Sequence, residues 1–191
     1  LIATEDRRFF EHKGMDYRGL ARAIYNNLSA GKLVEGGSTI SQQLAKNLYL
    51  NSNRTIKRKI QELLLSFWLE MKLDKQEILT IYLNRAYFGA GAYGIDAASR
   101  TIFGHSARDL TLTESAMLAG MLKGPALYSP LRDVQRAYAR TSTVLDNMVS
   151  VGFIDQEEAD KAAKRSVNIQ SNVGGGDVRY FTDWIVEQLP D

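Results

Sequence analysis

Residues Thr55 to Leu73 read TIKRKIQELLLSFWLEMKL, and this stretch indicates the fold class most directly. Its apolar residues recur at intervals of three and four, the spacing that places side chains on one face of an α-helix. The stripe consists of Ile56, Ile60, Leu63, Leu64, Phe67 and Met71. Further apolar residues fill much of the remaining surface in the second half. We therefore predict a long central helix that is buried at its far end.

Other helix signals recur along the chain, whereas alternating strand patterns are scarce. Three helix starts are marked by a capping residue followed three positions later by a glutamate. These pairs are Asp74 with Glu77, Thr111 with Glu114, and Asp155 with Glu158. Helical spacing also runs from Pro130 to Gly152, where the glycine is a predicted stop. The sequence thus predicts an all-α, mainly helical fold.

The composition restricts the class of protein. The chain has 191 residues, of which 45% are hydrophobic, enough for one well-filled core. A net charge of +2 argues against a strongly basic nucleic-acid-binding protein. The absence of cysteine excludes a disulfide scaffold and a thiolate metal site, and two histidines argue against a His-rich zinc centre. We predict one domain over 1–170 and a Gly-rich linker with the start of another segment over 171–191.

The first candidate cluster is EDRRFFEHKG, residues 5–14. Two adjacent carboxylates, Glu5 and Asp6, stand beside two arginines and two aromatic residues. Such surroundings can place one acid where it is partly desolvated and acts as a general base. The alternative is the charged first turn of an ordinary helix.

The second cluster is GGSTISQQLAKN, residues 36–47. Ser38 or Thr39 can cap a helix whose first N–H groups suit an anion. Side chains one turn apart then present donors along one side of a ligand. These donors are Gln42, Gln43, Lys46 and Asn47. The alternative is a capped surface helix.

The third cluster is cationic and contains one carboxylate, Glu62. Its basic residues are Arg54, Lys57, Arg58 and Lys59. Arg54, Arg58 and Glu62 are predicted to face away from the apolar stripe. Cations so arranged can neutralise a departing pyrophosphate, while Glu62 positions them or helps to hold a divalent ion. The alternative is a solvated basic face with ion pairs along the helix.

The fourth cluster is YLNRAYFGAGAYG, residues 82–94. Its aromatic rings and Asn84 suit contact with a sugar, since rings cover the apolar faces of a saccharide and an amide bonds its hydroxyls. The pattern alone favours the alternative, which is a helix end with core aromatics.

Five segments in this order resemble the motifs of the peptidoglycan glycosyltransferase family, found in class A penicillin-binding proteins and in monofunctional glycan polymerases. The segments are EDRRFFEHKG, GGSTISQQLAKN, RKIQE, IYLNRAYFG and ESAMLAG, and the resemblance extends from Ile2 to about Ile169. It implies a lysozyme-like, two-lobed helical domain with a cleft between the lobes. It also implies polymerisation of lipid II into β-1,4-linked glycan strands, with inversion and release of undecaprenyl pyrophosphate.

The resemblance also implies roles for particular residues. Glu5 would be the catalytic base, and Glu62 would be the second essential glutamate. The implied donor-site contacts are Ser38, Gln43, Lys46, Arg54, Arg58 and Lys59, with Tyr87 nearby. We add Asp6, Gln42 and Asn47 as substrate-binding candidates from the same clusters. We expect no tightly bound cofactor and no dedicated metal site, and at most Mg²⁺ or Mn²⁺ shared with the donor pyrophosphate.

The implied partners are lipid II, the growing glycan strand and a membrane surface, with no nucleic acid. The mixed apolar and basic stretch from Tyr17 to Leu33 is the candidate for membrane contact. We expect the chain to come from a longer protein at the outer, periplasmic face of the bacterial cytoplasmic membrane. In that protein an upstream segment would supply the anchor, and a transpeptidase domain could follow the linker.

Two rival functions remain. A lysozyme or lytic transglycosylase also uses a glutamate, but as a general acid on a sugar leaving group, and it needs no cations around a phosphate. A nonenzymatic protein could instead bind nucleic acid or anionic membranes through Lys57, Arg58 and Lys59.

Overall fold

The computed structural model describes residues 1–32, 36–49 and 55–170, and this part of the chain is mainly helical, as predicted. The helices are α1 (Ile2–Glu5), α2 (Tyr17–Ala30), α3 (Ile40–Tyr49), α4 (Ile56–Lys72), α5 (Lys75–Arg85), α6 (Ile95–Phe103), α7 (Leu112–Met121), α8 (Val134–Ser150) and α9 (Gln156–Lys164). A short 3₁₀ helix spans Ala107–Asp109, and β1 (Tyr87–Gly89) pairs antiparallel with β2 (Ala92–Tyr93). The predicted linker over 171–191 lies outside the described residues.

The predicted helix starts are confirmed. At the start of α5, the carboxylate of Asp74 accepts from the backbone N–H of Glu77 at 2.8 Å, and Glu77 accepts from the N–H of Asp74 at 2.8 Å. The same reciprocal pattern opens α7 and α9. Helix α8 ends two residues before Gly152, which has a φ of 73° and is therefore in the left-handed conformation that glycine favours.

Two clusters of buried apolar side chains hold the helices together. The larger contains residues of α3, α5, α6 and α7 together with Phe9 and Phe88. The smaller joins α7, α8 and α9 around Val144 and Leu145. Leu1, just before α1, packs against both clusters, so α1 lies where they meet. No helix within the described residues is both long and apolar enough to cross a membrane.

The apolar stripe of α4 is not buried as the sequence predicted. Ile56 is 83% exposed and Met71 is 74% exposed, and Ile60 and Leu64 between them are also exposed. The buried residues of α4 are Glu62, Ser66 and Leu69, on the face that packs against α3. The prediction of a helix over this stretch is confirmed, but the prediction that its far end is buried along the stripe is wrong.

A buried ion pair joins α3, α4 and α5. The Glu70 carboxylate, only 5% exposed, accepts from Lys75 Nζ at 2.7 Å and from the hydroxyl of Ser41. Lys75 also lies over the ring of Phe9, with 4.5 Å between Nζ and the ring centroid. This ion pair fixes α3 against the two helices that follow it.

Replacing Lys75 by methionine should destabilise the fold, because Glu70 would keep a buried charge without its cation. We expect the free energy of unfolding to fall by about 2 to 4 kcal/mol, measured by urea denaturation. Lys161→Met is the matched control, since its ion pair with Glu157 is exposed and should contribute little. Equal effects of the two substitutions would contradict this role of the ion pair.

Candidate active site

Glu5 is the last residue of α1 and is partly buried. Gln43, on α3, donates from Nε2 to Glu5 Oε2 at 3.2 Å. The Tyr82 hydroxyl, on α5, in turn donates to Gln43 Oε1 at 3.0 Å. Three helices therefore contribute to the surroundings of one carboxylate.

Asp6, the residue after Glu5, is buried and bonded within the chain. Its carboxylate accepts from His12 Nε2 at 2.9 and 3.0 Å, and it also accepts from the backbone N–H of Ile40 at 2.9 Å. Asp6 thus caps the start of α3. Its predicted contact with substrate stays a prediction.

We expected the first N–H groups of α3 to be available to an anionic ligand, but two of them are bonded within the chain. The Ile40 N–H is taken by Asp6, and the Gln42 N–H donates to Thr39 Oγ1 at 3.2 Å. The reason is that a carboxylate and a hydroxyl of the chain itself satisfy the positive end of the helix.

The carbonyl of Gly14 collects three side-chain donors. Thr39 Oγ1 donates to it at 2.8 Å, Gln42 Nε2 at 3.2 Å and Ser66 Oγ at 3.3 Å. Gly14 has a φ of 75°, and a Cβ there would come within 2.8 Å of a ring carbon of Phe67. Because its amide points to this carbonyl, Gln42 supports the loop before α2, and its predicted contact with substrate stays a prediction.

The cationic cluster forms around Glu62, which is 3% exposed. Its carboxylate accepts from Arg58 Nη1 and from Lys59 Nζ, the latter at 2.8 Å. Lys59 Nζ also donates to Ser38 Oγ at 2.8 Å and to Gln42 Oε1 at 3.4 Å. Five residues predicted to be site residues are therefore in contact, and Glu62 aligns two of the cations.

Lys46 connects this cluster with Glu5. Partial burial and the charge of Arg58 lower the pKa of Lys46, while the nearby charge of Glu5 acts in the opposite direction. The pKa of Lys59 is lowered by burial, by Arg58 and by Lys46. Three cations therefore repel one another close to a carboxylate, an arrangement that favours an anionic ligand.

A small surface depression borders Glu5. Its lining includes Asp16, Gly19 and Arg22 at the start of α2 and the segment 36–39 that leads into α3. Ser38 belongs both to this lining and to the cationic cluster. A ligand in the depression would thus have Glu5 within reach on one side and cations beyond Ser38 on another.

The remaining predicted residues are placed differently. Tyr87 lies in the β-hairpin, with its ring centroid 4.8 Å from that of Tyr93 and its hydroxyl near the Gly91 N–H. Asn47 is exposed on α3, one turn after Gln43, and Arg54 lies outside the described residues. Their contacts with substrate stay predictions.

Sequence reasoning missed the supporting residues. It favoured a core position for Tyr82, which the burial of this residue confirms, but it did not predict the bond from the Tyr82 hydroxyl to Gln43. It also assigned no role to the Gly14 carbonyl or to Glu70. The positions of Tyr82 and Gln43 are 39 residues apart, so no local spacing could have paired them.

The side chains of the described residues form no dedicated metal site. Within residues 1–32, 36–49 and 55–170, no group of three or more histidine, aspartate or glutamate side chains could hold a metal ion. The expectation of Mg²⁺ or Mn²⁺ at a pyrophosphate concerns an ion that the ligand itself would bring, and it stays a prediction.

Comparison with known proteins gives consistent matches. A family model described as Transglycosylase matches residues 1–149. Penicillin-binding protein 1A of Aquifex aeolicus (strain VF5) is 42% identical over 184 residues, which are 96% of this chain and 25% of that protein. Penicillin-binding protein 2a of Streptococcus pneumoniae (strain ATCC BAA-255 / R6) is 46% identical over 170 residues, 89% of this chain and 23% of that protein.

A solved structure is similar as well. The crystal structure of penicillin-binding protein 1A from Haemophilus influenzae superposes with a TM-score of 0.51 at 29% sequence identity. The match covers 78% of this chain and 19% of that one. The chain thus spans about a quarter or less of the length of these relatives.

Proposed function

The chain belongs to the transglycosylase family, and from that premise we propose that it polymerises lipid II into the β-1,4-linked glycan strands of peptidoglycan. The observation that carries the proposal is the position of Glu5 near Lys46, which in turn lies close to Arg58 and Lys59, the two cations paired with Glu62. One base and several cations are the groups that glycosyl transfer from a pyrophosphate requires.

In the proposed reaction, the oxygen of a sugar hydroxyl attacks the anomeric carbon of the donor. As it does so, a carboxylate oxygen of Glu5 takes the proton from that hydroxyl. The bond between the anomeric carbon and the pyrophosphate oxygen breaks, and its electron pair leaves with undecaprenyl pyrophosphate. Attack opposite the leaving group inverts the anomeric centre and gives the β linkage. Pyrophosphate is a good leaving group, so it needs positive charge more than it needs a proton donor.

Glu62 has a positioning role in this proposal. Its buried carboxylate is bonded to Arg58 and Lys59, so it directs their remaining N–H groups rather than meeting the ligand itself. Ser38, bonded to Lys59, adds a hydroxyl at the same place. The cations therefore meet the ligand already oriented, which reduces the entropy lost when the ligand binds.

The cleaving alternative fits the site less well. A lysozyme-type enzyme protonates a sugar oxygen with a carboxylic acid and has no need of cations around a phosphate. Here Lys46 lies near Glu5, and Arg58 and Lys59 are held by Glu62. These cations suit a pyrophosphate leaving group rather than a sugar leaving group.

We also propose that the exposed apolar faces of α2 and α4 contact the membrane that carries the substrate, at the outer face of the bacterial cytoplasmic membrane. On α2, the exposed residues are Tyr17, Ile24, Tyr25 and Leu28. Arg18 and Arg22 lie on the same helix and suit anionic lipid headgroups. An anchor and a transpeptidase domain elsewhere in a longer parent protein belong to the same proposal, since the relatives extend well beyond the matched region.

Replacing Glu5 by glutamine should abolish polymerisation, because it removes the base and almost no volume. We expect the rate to fall at least about 1,000-fold, measured as the loss of a glycan ladder from labelled lipid II on a gel. Glu11→Gln is the matched control, since Glu11 forms an exposed ion pair with Arg8. A ladder from Glu5→Gln would refute the assignment of the base.

Replacing Lys46 by methionine should lower kcat/KM by about 10- to 100-fold, the value of one hydrogen bond to a charged group. Lys57→Met, an exposed neighbour of the cluster on α4, should change it little. A general binder of anionic polymers would instead lose affinity equally in both variants, and that result would favour the nonenzymatic rival.

Replacing both Tyr25 and Leu28 by serine should weaken binding to vesicles of mixed neutral and anionic phospholipid. Burial of each apolar side chain contributes about 1.5 to 3 kcal/mol, so at least a 10-fold loss in partitioning is expected in a sedimentation assay. Phe153→Ser, at an exposed aromatic residue after α8, is the control. Unchanged partitioning of the double variant would exclude α2 from the contact.

A further inference from the structure

Tyr82 forms the far end of a chain of hydrogen bonds that ends on Glu5. Its hydroxyl donates to Gln43 Oε1 at 3.0 Å, and Gln43 Nε2 donates to Glu5 Oε2 at 3.2 Å. We propose that Tyr82 is a positioning residue for the base: it fixes the amide of Gln43 with its NH₂ group, and not its oxygen, toward Glu5. The consequence for catalysis rests on the proposed function.

The direction of the chain follows from what each group can donate. An ionised carboxylate only accepts, so Glu5 requires the NH₂ side of Gln43. The amide oxygen and nitrogen are nearly equal in size, and packing alone does not select between the two orientations. Glu5 itself therefore selects the NH₂ side, and the Tyr82 hydroxyl, bonded to the amide oxygen, holds the amide in that orientation. Without the Tyr82 bond, the Gln43 amide is held at one end only.

Tyr82 is suited to remain a donor. Only 2% of the residue is exposed, and burial together with the charge of Glu5 raises the pKa of its hydroxyl far above the ordinary value. The hydroxyl therefore keeps its proton, and remains a donor, at neutral pH. Its backbone position is fixed as well, since it lies within α5 and its carbonyl accepts from the Ala86 N–H at 2.8 Å.

The chain of hydrogen bonds distinguishes the two oxygens of Glu5. Oε2 is engaged by Gln43, so the incoming proton is assigned to Oε1. Another charged group near Glu5 is the ammonium of Lys46, whose pKa responds to the charge of Glu5. This cation acts on the carboxylate as a whole, whereas the Gln43 amide acts on one oxygen and fixes the orientation of the other.

The test is Tyr82→Phe, which removes one hydroxyl and keeps the ring that packs in the larger core. We expect kcat for lipid II polymerisation to fall about 10-fold with KM within about twofold, because orientation of the base is lost but binding groups are not. The acid limb of the pH–rate profile should move to higher pH by up to about one unit, since the carboxylate loses part of a hydrogen bond.

A second readout does not depend on activity. In protein labelled with ¹³C at the glutamate carboxyl, the Glu5 signal is assigned by its loss in Glu5→Gln and titrated in the wild type and in Tyr82→Phe. The midpoint of the titration should be higher in Tyr82→Phe. If the wild type failed to polymerise lipid II, the proposed function would fail while this titration still tested the positioning role.

Two controls separate positioning from general loss of structure. Tyr138→Phe removes another tyrosine hydroxyl, which accepts from the Val167 N–H at 2.8 Å and has no bond to Gln43 or Glu5 among the described residues. This substitution should leave the titration and the acid limb unchanged. In a Gln43→Met background, Tyr82→Phe should have no further effect, since Tyr82 acts through Gln43. An unchanged Glu5 titration in Tyr82→Phe, or additive effects of the two substitutions, would overturn the proposal.

Discussion

The site depends first on one buried carboxylate, that of Asp6. It accepts from the first N–H of α3 and from His12, so the end of α1 is attached to the start of α3. Glu5 directly precedes Asp6, and Gln43 lies one helical turn after Ile40 in α3. The 3.2 Å contact between Glu5 and Gln43 follows from the attachment of these two segments. A buried carboxylate that accepts from two such donors is far more restrictive than apolar packing, because each bond fixes a direction as well as a distance.

The orientation of α4 illustrates which effect prevails when charge and apolar surface compete. The helix buries Glu62, held by Arg58 and Lys59, and leaves Ile56 and Met71 exposed. Each exposed apolar side chain forgoes about 1.5 to 3 kcal/mol of burial. The inward face is instead fixed by directional bonds to Ser41 and Gln42 of α3, to the Gly14 carbonyl and to Lys75 of α5. An apolar face left outside in this way is available for a membrane surface.

Local features such as helix starts could be predicted from the sequence, whereas the packing and the hydrogen bonds between distant segments could not. Capping boxes such as Asp74 with Glu77 involve residues three apart, so the helix starts could be read directly. The period of α4 was also correct, but a period indicates that a helix has two faces and not which of them meets α3. The convergence of Glu5, Gln43 and Lys59 was expected only through the family resemblance, because hydrogen bonds across 38 and 21 residues leave no mark on spacing.

The charges of the site favour the binding of an anionic ligand and, under the proposed function, stabilise the leaving group. Partial burial lowers the pKa values of Lys46 and Lys59, and repulsion among Arg58, Lys46 and Lys59 lowers them further. A pyrophosphate bound among them would relieve this repulsion, so ligand binding and full protonation of the lysines favour each other. Glu5 already supplies part of the opposing charge to Lys46. When Glu5 accepts a proton it ceases to do so, and Lys46 then interacts more strongly with the charge that develops on the departing pyrophosphate. Under the proposed function, the proton transfer and the stabilisation of the leaving group are therefore coupled through a single lysine.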